Sequence, residues 1–335
     1  MSITTDLQKY FTPKMVGQIL EDFEPVRTPI WARVFSKVKQ HPLGYITKQT
    51  IIDHVGNVPL TKRGTPSIGV FSGDETSDLF EPQPIAINTV IKAKDFLDLK
   101  TLGTESSLQN WVAEKLSGLR DRVYSTIEAM CCQALTGTID YAIKIYEGDL
   151  GTYRVKFGDL IQPASYVGFV GNWASATLDE IFKDILILKN AIKLKTRYGS
   201  KIGILAGRNA YFTLMAKMKD VNTSTAINLK IEGDYLHLNG TIIEYMGDAG
   251  YTNLKTALWT PAIGDDEIVL FAEDAPFNLT YLAIDDFDAM ENPVMIARPL
   301  YPKTIKQDDP SGYKILVQSK PFPMPVPMAT IICSV

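Results

Sequence analysis

Three histidines, three cysteines and one acidic cluster are the side chains of this 335-residue chain that could hold a metal or serve as a catalyst. His41, His54 and His237 are widely spaced, and none lies in an HExxH pattern or beside a cysteine pair, so they read as ordinary surface or strand positions. Cys131 and Cys132 are adjacent, Cys333 stands alone, and no CxxC occurs, so neither a zinc site nor a disulfide framework follows. Asp285, Asp286, Asp288 and Glu291 are acidic enough for calcium, but Met290 stands where an EF-hand loop needs glycine, and a solvated turn is the expectation. GxGxxG, Walker A and GxSxG patterns are all missing, and Gly247-Asp248-Ala249-Gly250 lacks the Lys-Ser/Thr that completes a phosphate loop. Pro299 and Pro302 form a PxxP, but among strand-like segments they read as part of a strand or connector. No catalytic group, cofactor or metal is therefore expected.

Lys62 and Arg63 pose a different question. They sit near the middle of 56–84, a stretch with eight glycines and prolines and no helical period. A structureless segment longer than about 15 residues is rare in a compact domain and usually functional. The pair is either a solvated loop tip or a contact for acidic groups on a neighbouring subunit.

The elements around these residues are readable from pattern. Trp31, Val34 and Phe35 form an apolar anchor near the end of a proline-interrupted segment, 1–36. Residues 45–55, rich in β-branched side chains, and 85–94, whose apolar residues alternate, read as strands and as the two legs of a long hairpin-like excursion. Leu108, Val112, Leu116, Leu119, Val123, Ile127, Met130 and Ala134 recur at spacings of three and four, and Gly137 suits the stop, which predicts a helix over 105–136 roughly 40–45 Å long. A hairpin is expected over 140–157, with its turn at Glu147-Gly148-Asp149. Thr177 and Glu180 form a capping box ahead of a second helix with the stripe Ile181, Ile185, Leu188 and Ile192. A strand at 201–206, a helix at 208–218 and strands near 227–231, 241–245 and 267–272 make this middle region a mixed α/β lobe. The tail is β-like, and its prolines at 321, 323, 325 and 327 require an edge or a connector.

Composition bounds the class. Hydrophobic residues at 45% and charged residues at 21% describe a globular chain with a substantial core, and 335 residues suit two lobes. A net charge of −4 without a Lys/Arg block excludes a dedicated nucleic-acid reader, but does not exclude lying beside DNA. The polar N-terminus and the charges that break Ile181–Leu194 predict an unexported protein with no membrane span.

The order of parts resembles the major capsid protein fold of tailed phages, an α+β fold. On that resemblance 1–36 is an N-terminal arm, 37–98 an extended β-hairpin loop, 99–165 a peripheral domain with a long spine helix, and 166–280 an axial α/β domain. Residues 281–335 then supply the return strands to the peripheral domain and the C-terminus. The tail resembles the lambda-type major head protein family through Ala297-Arg298, Tyr301-Pro302-Lys303, Asp309-Pro310 and Gln318-Ser319-Lys320-Pro321, echoed by Phe80-Glu81-Pro82 and Pro84-Ile85. Lys320 departs from the small residue that the family pattern has there.

The resemblance implies a shell subunit that assembles as hexamers and pentamers around double-stranded DNA, within a virion built in the bacterial host cytoplasm. Its implied partners are further copies of itself, a portal, and a scaffold or protease, with a decoration protein as another candidate. Trp31, Lys62, Arg63, Asp308 and Asp309 are the expected intersubunit contacts, the aspartates because 308–312 resembles a turn that meets other subunits. An encapsulin-like compartment, an α/β enzyme with a β insert and a tail or adhesion protein are the rival readings.

Overall fold

Two sequence periods, 2 and 3.6, account for most of the architecture. The computed structural model describes residues 16, 26–47, 79–94, 105–146, 149–196, 198–220, 229–290, 297–308 and 311–335. Its first helix, α1, is short (Pro29–Val34), and its longest, α2, spans Glu105–Leu135, about 46 Å at 1.5 Å per residue. The apolar stripe of α2 is buried at Leu116, Leu119, Val123, Ile127, Met130 and Ala134. The helix ends where Gly137 adopts φ +80° and donates its N–H to the Ala134 carbonyl.

α2 lies across the peripheral lobe. Strand β4 (Ile85–Lys92) buries alternate residues, as its sequence requires, and pairs antiparallel with β16 (Ser311–Ser319), which pairs in turn with β15 (Tyr301–Asp308). A second sheet has the order β1 (Lys37–His41), β14 (Asn278–Leu282), β17 (Pro321–Met324). All of β14 is buried between its two neighbours. Pro321 and Pro323 lie on β17, an edge strand, which is where missing N–H donors do least harm.

The axial lobe is a six-stranded sheet of order β18-β13-β7-β10-β9-β8. In chain order these strands are β7 (Ile202–Ala206), β8 (Leu229–Glu232), β9 (Tyr235–Leu238), β10 (Thr241–Tyr245), β13 (Glu267–Ala272) and β18 (Thr330–Ser334). Only β7 and β10 pair in parallel. Helices α3 (Leu178–Thr196) and α4 (Arg208–Asp220) pack against it. The capping box of α3 forms as expected: the Thr177 N–H donates to Glu180 at 2.8 Å, and the Glu180 N–H donates back to Thr177 Oγ1 at 3.4 Å. Ile181, Ile185, Leu188 and Ile192 are fully buried.

Only the base of the expected excursion is among the described residues, and 48–78 lie outside them. At that base Ile46–Thr47 (β2) pairs with Leu79–Phe80 (β3). The expected return leg, β4, belongs instead to the sheet with β16, because its inward face (Ile85, Ile87, Thr89, Ile91) is needed under α2. Lys37–His41, assigned by sequence to the loop, extends the β14 sheet. The chain's last strand, β18, leaves the peripheral lobe and closes one side of the axial sheet.

Candidate assembly surfaces

Among the described residues no group of three His, Cys, Asp or Glu side chains could hold a metal. The three aspartates of the acidic cluster are tethered rather than open, and Glu291 lies outside the described residues. Lys303 reaches Asp286 at 2.9 Å and Asp288 at 2.7 Å, and the almost fully buried Lys320 reaches Asp285 at 3.1 Å. Hydrogen bonds to Asp288 and Asp286 hold the Lys303 ammonium above its ordinary range. Burial pushes the Cys131 and Cys132 thiols well up and Cys333 up to about 12, so all three stay protonated and pack as small hydrophobes. His41 accepts from the Leu43 N–H and His237 contacts Glu232 at 3.2 Å, two local surface contacts, while His54 lies outside the described residues.

Surface that the chain leaves uncovered is the more informative feature. Among the described residues, strands β5 (Thr138–Tyr146) and β6 (Asp149–Lys156) pair only with each other. One face of this ribbon carries Ile139, Tyr141, Ile143 and Ile145 beside Val155, Tyr153 and Gly151. At its base Ile139 is fully buried; Tyr141 and Tyr153 are half-buried; near the tip Ile145 is 59% exposed, and Leu150, paired with Lys144 on the opposite face, is 60% exposed. The apolar stripe thus runs off the subunit's own core into solvent. A Cβ at Gly151 would collide with Ile145, so the glycine lets that side chain fold across the ribbon.

A second uncovered patch adjoins the ribbon. Strands β11 (Gly250–Thr252) and β12 (Trp259–Pro261) form a small hairpin whose Leu254, Leu258 and Trp259 are exposed. Lys255 fastens it to the ribbon through Asp140 at 3.0 Å and Thr152 at 2.6 Å. Hydrogen bonds from Arg154 and then Lys255 hold the Asp140 carboxyl below its ordinary range.

The expected contact residues are dispersed. Asp308 is exposed at the far end of the β15–β16 hairpin, opposite Ser311, and Lys306 approaches it at 3.9 Å. Lys62, Arg63 and Asp309 lie outside the described residues. Trp31 is half-buried on its own chain, edge-on to Tyr124 of α2 with ring centroids 5.3 Å apart. Val34 and Phe35 are buried beside it, as an apolar anchor requires. Sequence reasoning passed over Glu128, which holds this anchor. A carboxylate on the buried face of a helix, next to Ile127 and four residues before Cys132, was the signal available.

A family match over nearly the whole chain shows what kind of protein carries these surfaces. The sequence matches the phage major capsid protein E family model over residues 14–335. The chain belongs to that family. It is a capsid protein, one that builds a shell from copies of itself, and its place is the virion. Among solved structures it is similar to a protein described as a prophage capsid protein of E. coli CFT073, at 14% identity and TM-score 0.57, covering 100% of this chain and 99% of that one. A phage-related protein of Bordetella bronchiseptica RB50 matches at 11% identity and TM-score 0.51, covering 95% of each chain. At such identities the likeness speaks to the fold, which is the tailed-phage capsid fold expected from the order of parts. No curated protein matches the sequence. No described helix is long and apolar enough to cross a membrane.

Proposed function

We propose that this capsid protein assembles as hexamers and pentamers into a closed icosahedral shell around double-stranded DNA, in the host cytoplasm and without enzymatic activity of its own. The observation that carries the reading is the overhanging ribbon. Two strands alone are marginal in water, and an apolar stripe that leaves its own core is stable when another surface covers it. In a self-assembling chain that surface belongs to a neighbouring copy. The Leu254–Trp259 patch, Asp308 and Asp309 at the β15–β16 tip, and Lys62 and Arg63 are the further contacts of this reading, with whatever part of Trp31 the spine helix leaves open. A net charge of −4 favours DNA that is enclosed rather than gripped, and portal, scaffold or protease and decoration protein are the outside partners.

Negative-stain microscopy of the purified chain across a wide range of concentration and salt tests this. Rings, tubes or closed shells are expected. Light scattering that shows monomer under every condition contradicts it.

A further inference from the structure

We propose that α1 is a tie between the two lobes that fixes the angle of the axial sheet to the spine helix, and through it the curvature of the shell. This rests on the shell reading above. The geometry begins with an unusual cap. Helix α1 has Pro29 at its first position, which brings no N–H, and Thr28 makes no side-chain cap. The next two donors, the N–H groups of Ile30 and Trp31, point at the carboxylate of Glu128 at 2.8 and 2.9 Å. Glu128 lies about two turns before the C-terminal end of the spine helix, and it is buried. The Ala32 N–H goes to the Thr28 carbonyl at 2.9 Å. Every early donor of α1 is thereby paired, two of them by a residue about a hundred positions away.

The other end of α1 is fastened to the axial sheet. Arg33 donates from Nε to Glu244 of β10 at 2.7 Å and from its terminal nitrogen to Glu273, which follows β13. Lys201 joins Glu273 at 2.9 Å, and the guanidinium lies over the Phe271 ring, 5.3 Å from its centroid. Gly203 leaves the room for this: a Cβ there would meet Phe271 at 2.7 Å and Arg33 at 3.1 Å. Phe35 then packs edge-on to Phe277 at 6.0 Å. Six residues therefore reach from a carboxylate on the spine to two carboxylates on the axial lobe. A short helix capped at its N-terminus by one lobe and held through Arg33 by the other resists both bending and sliding, so the lobes cannot rotate without breaking charged hydrogen bonds.

The test cuts the tie at either end. Glu128→Ala removes the spine end, and Glu244→Gln with Glu273→Gln removes the axial end. Thr177→Ala is the control, since it weakens a helix cap remote from the tie. Hydrogen exchange at the Ile30 and Trp31 amides should quicken about ten-fold in Glu128→Ala. Particles of both tie variants should spread into a broad range of diameters and tubes, whereas wild type and Thr177→Ala give one size. Glu128→Gln, which keeps one acceptor, should fall between. If both tie variants build particles of wild-type diameter, or if the control spreads equally, α1 is only a stabilising contact and the proposal is wrong. Should Glu128→Ala fail to fold, the axial double variant decides alone. Failure of the wild type to form particles would instead sink the shell reading, which keeps the two outcomes apart.

Discussion

The axial sheet and the β5–β6 ribbon are both β-structure, yet they meet water in opposite ways. In the axial sheet, Ile204, Leu205, Ile243, Val269 and Leu270 are at most 1% exposed, closed over by helices and neighbouring strands of the same chain. In the ribbon, burial fades from the base to the tip, and neither strand pairs with a third among the described residues. The difference separates two jobs. One region folds for its own stability, while the other offers apolar surface that a single copy does not cover. A shell subunit needs both, because a fully self-satisfied molecule has no reason to associate.

Substitution can break that contrast directly. Leu270→Ala in the axial core should destabilise the subunit by about 2–5 kcal/mol, measured by thermal or denaturant unfolding. Ile145→Asp with Leu150→Asp should leave the isolated subunit within about 0.5 kcal/mol of wild type while raising the concentration needed for assembly severalfold. Equal loss of subunit stability from both would erase the distinction between the regions.

Lys62→Glu with Arg63→Glu extends the test to the glycine- and proline-rich stretch 56–84. An exposed ion pair contributes about 0–1 kcal/mol, but a shell repeats each contact many times. The assembly threshold should rise, with circular dichroism and melting temperature unchanged. A variant that unfolds the subunit would place these residues in its own core.

A smaller effect should appear in pH dependence, with opposite signs at the two ends of α1. Burial pushes Glu273 up, but hydrogen bonds from Arg33 and Lys201 outweigh it and hold the carboxyl below its ordinary value. Its stabilisation is present above the unfolded value of about 4.3 and is lost as pH falls through the lowered folded value. Burial raises Glu128 despite the N–H groups of Trp31 and Ile30, so its contribution is full below about 4.3 and lost as pH rises through the raised value. Melting curves should show Glu273→Gln losing less stability than wild type on acidification, and Glu128→Gln losing less on the rise from acid toward neutral pH. Parallel curves for all three proteins would refute both assignments.

The smallest effect belongs to the cysteines. Replacing all three by alanine should leave particles intact, because the buried, protonated thiols pack as small hydrophobes and the one polar contact they make to the tie, Cys132 Sγ to Glu128 at 3.9 Å, is long and weak beside the two N–H bonds Glu128 already accepts. Loss of particles in that variant, with rescue of the wild type by oxidant, would show a redox role.

Local features were readable because their causes are local. The period of α2, the Thr177–Glu180 box and the hairpin at 138–156 depend on neighbours within a few residues, and each appears where the sequence puts it. The partner of β4 was not readable. Its alternation says only that one face is buried, and both 45–55 and 311–319 could supply the matching strand. The hold on α1 was equally hidden, since Glu128 and Glu244 lie 97 and 211 positions from the residues they bind. Contact surfaces are harder still: an alternating ribbon reads the same whether its apolar face is covered by its own chain or by the next.

Hydrogen exchange on one preparation, split into free subunits and assembled particles, tests the central claim most directly. Assembly should slow exchange in the β5–β6 ribbon and the 250–261 hairpin while leaving the amides of Glu267–Ala272 unchanged. Protection spread evenly over sheet and surface hairpins alike, or no gain in the ribbon, would contradict the division between a self-sufficient axial sheet and surface hairpins completed by neighbouring copies.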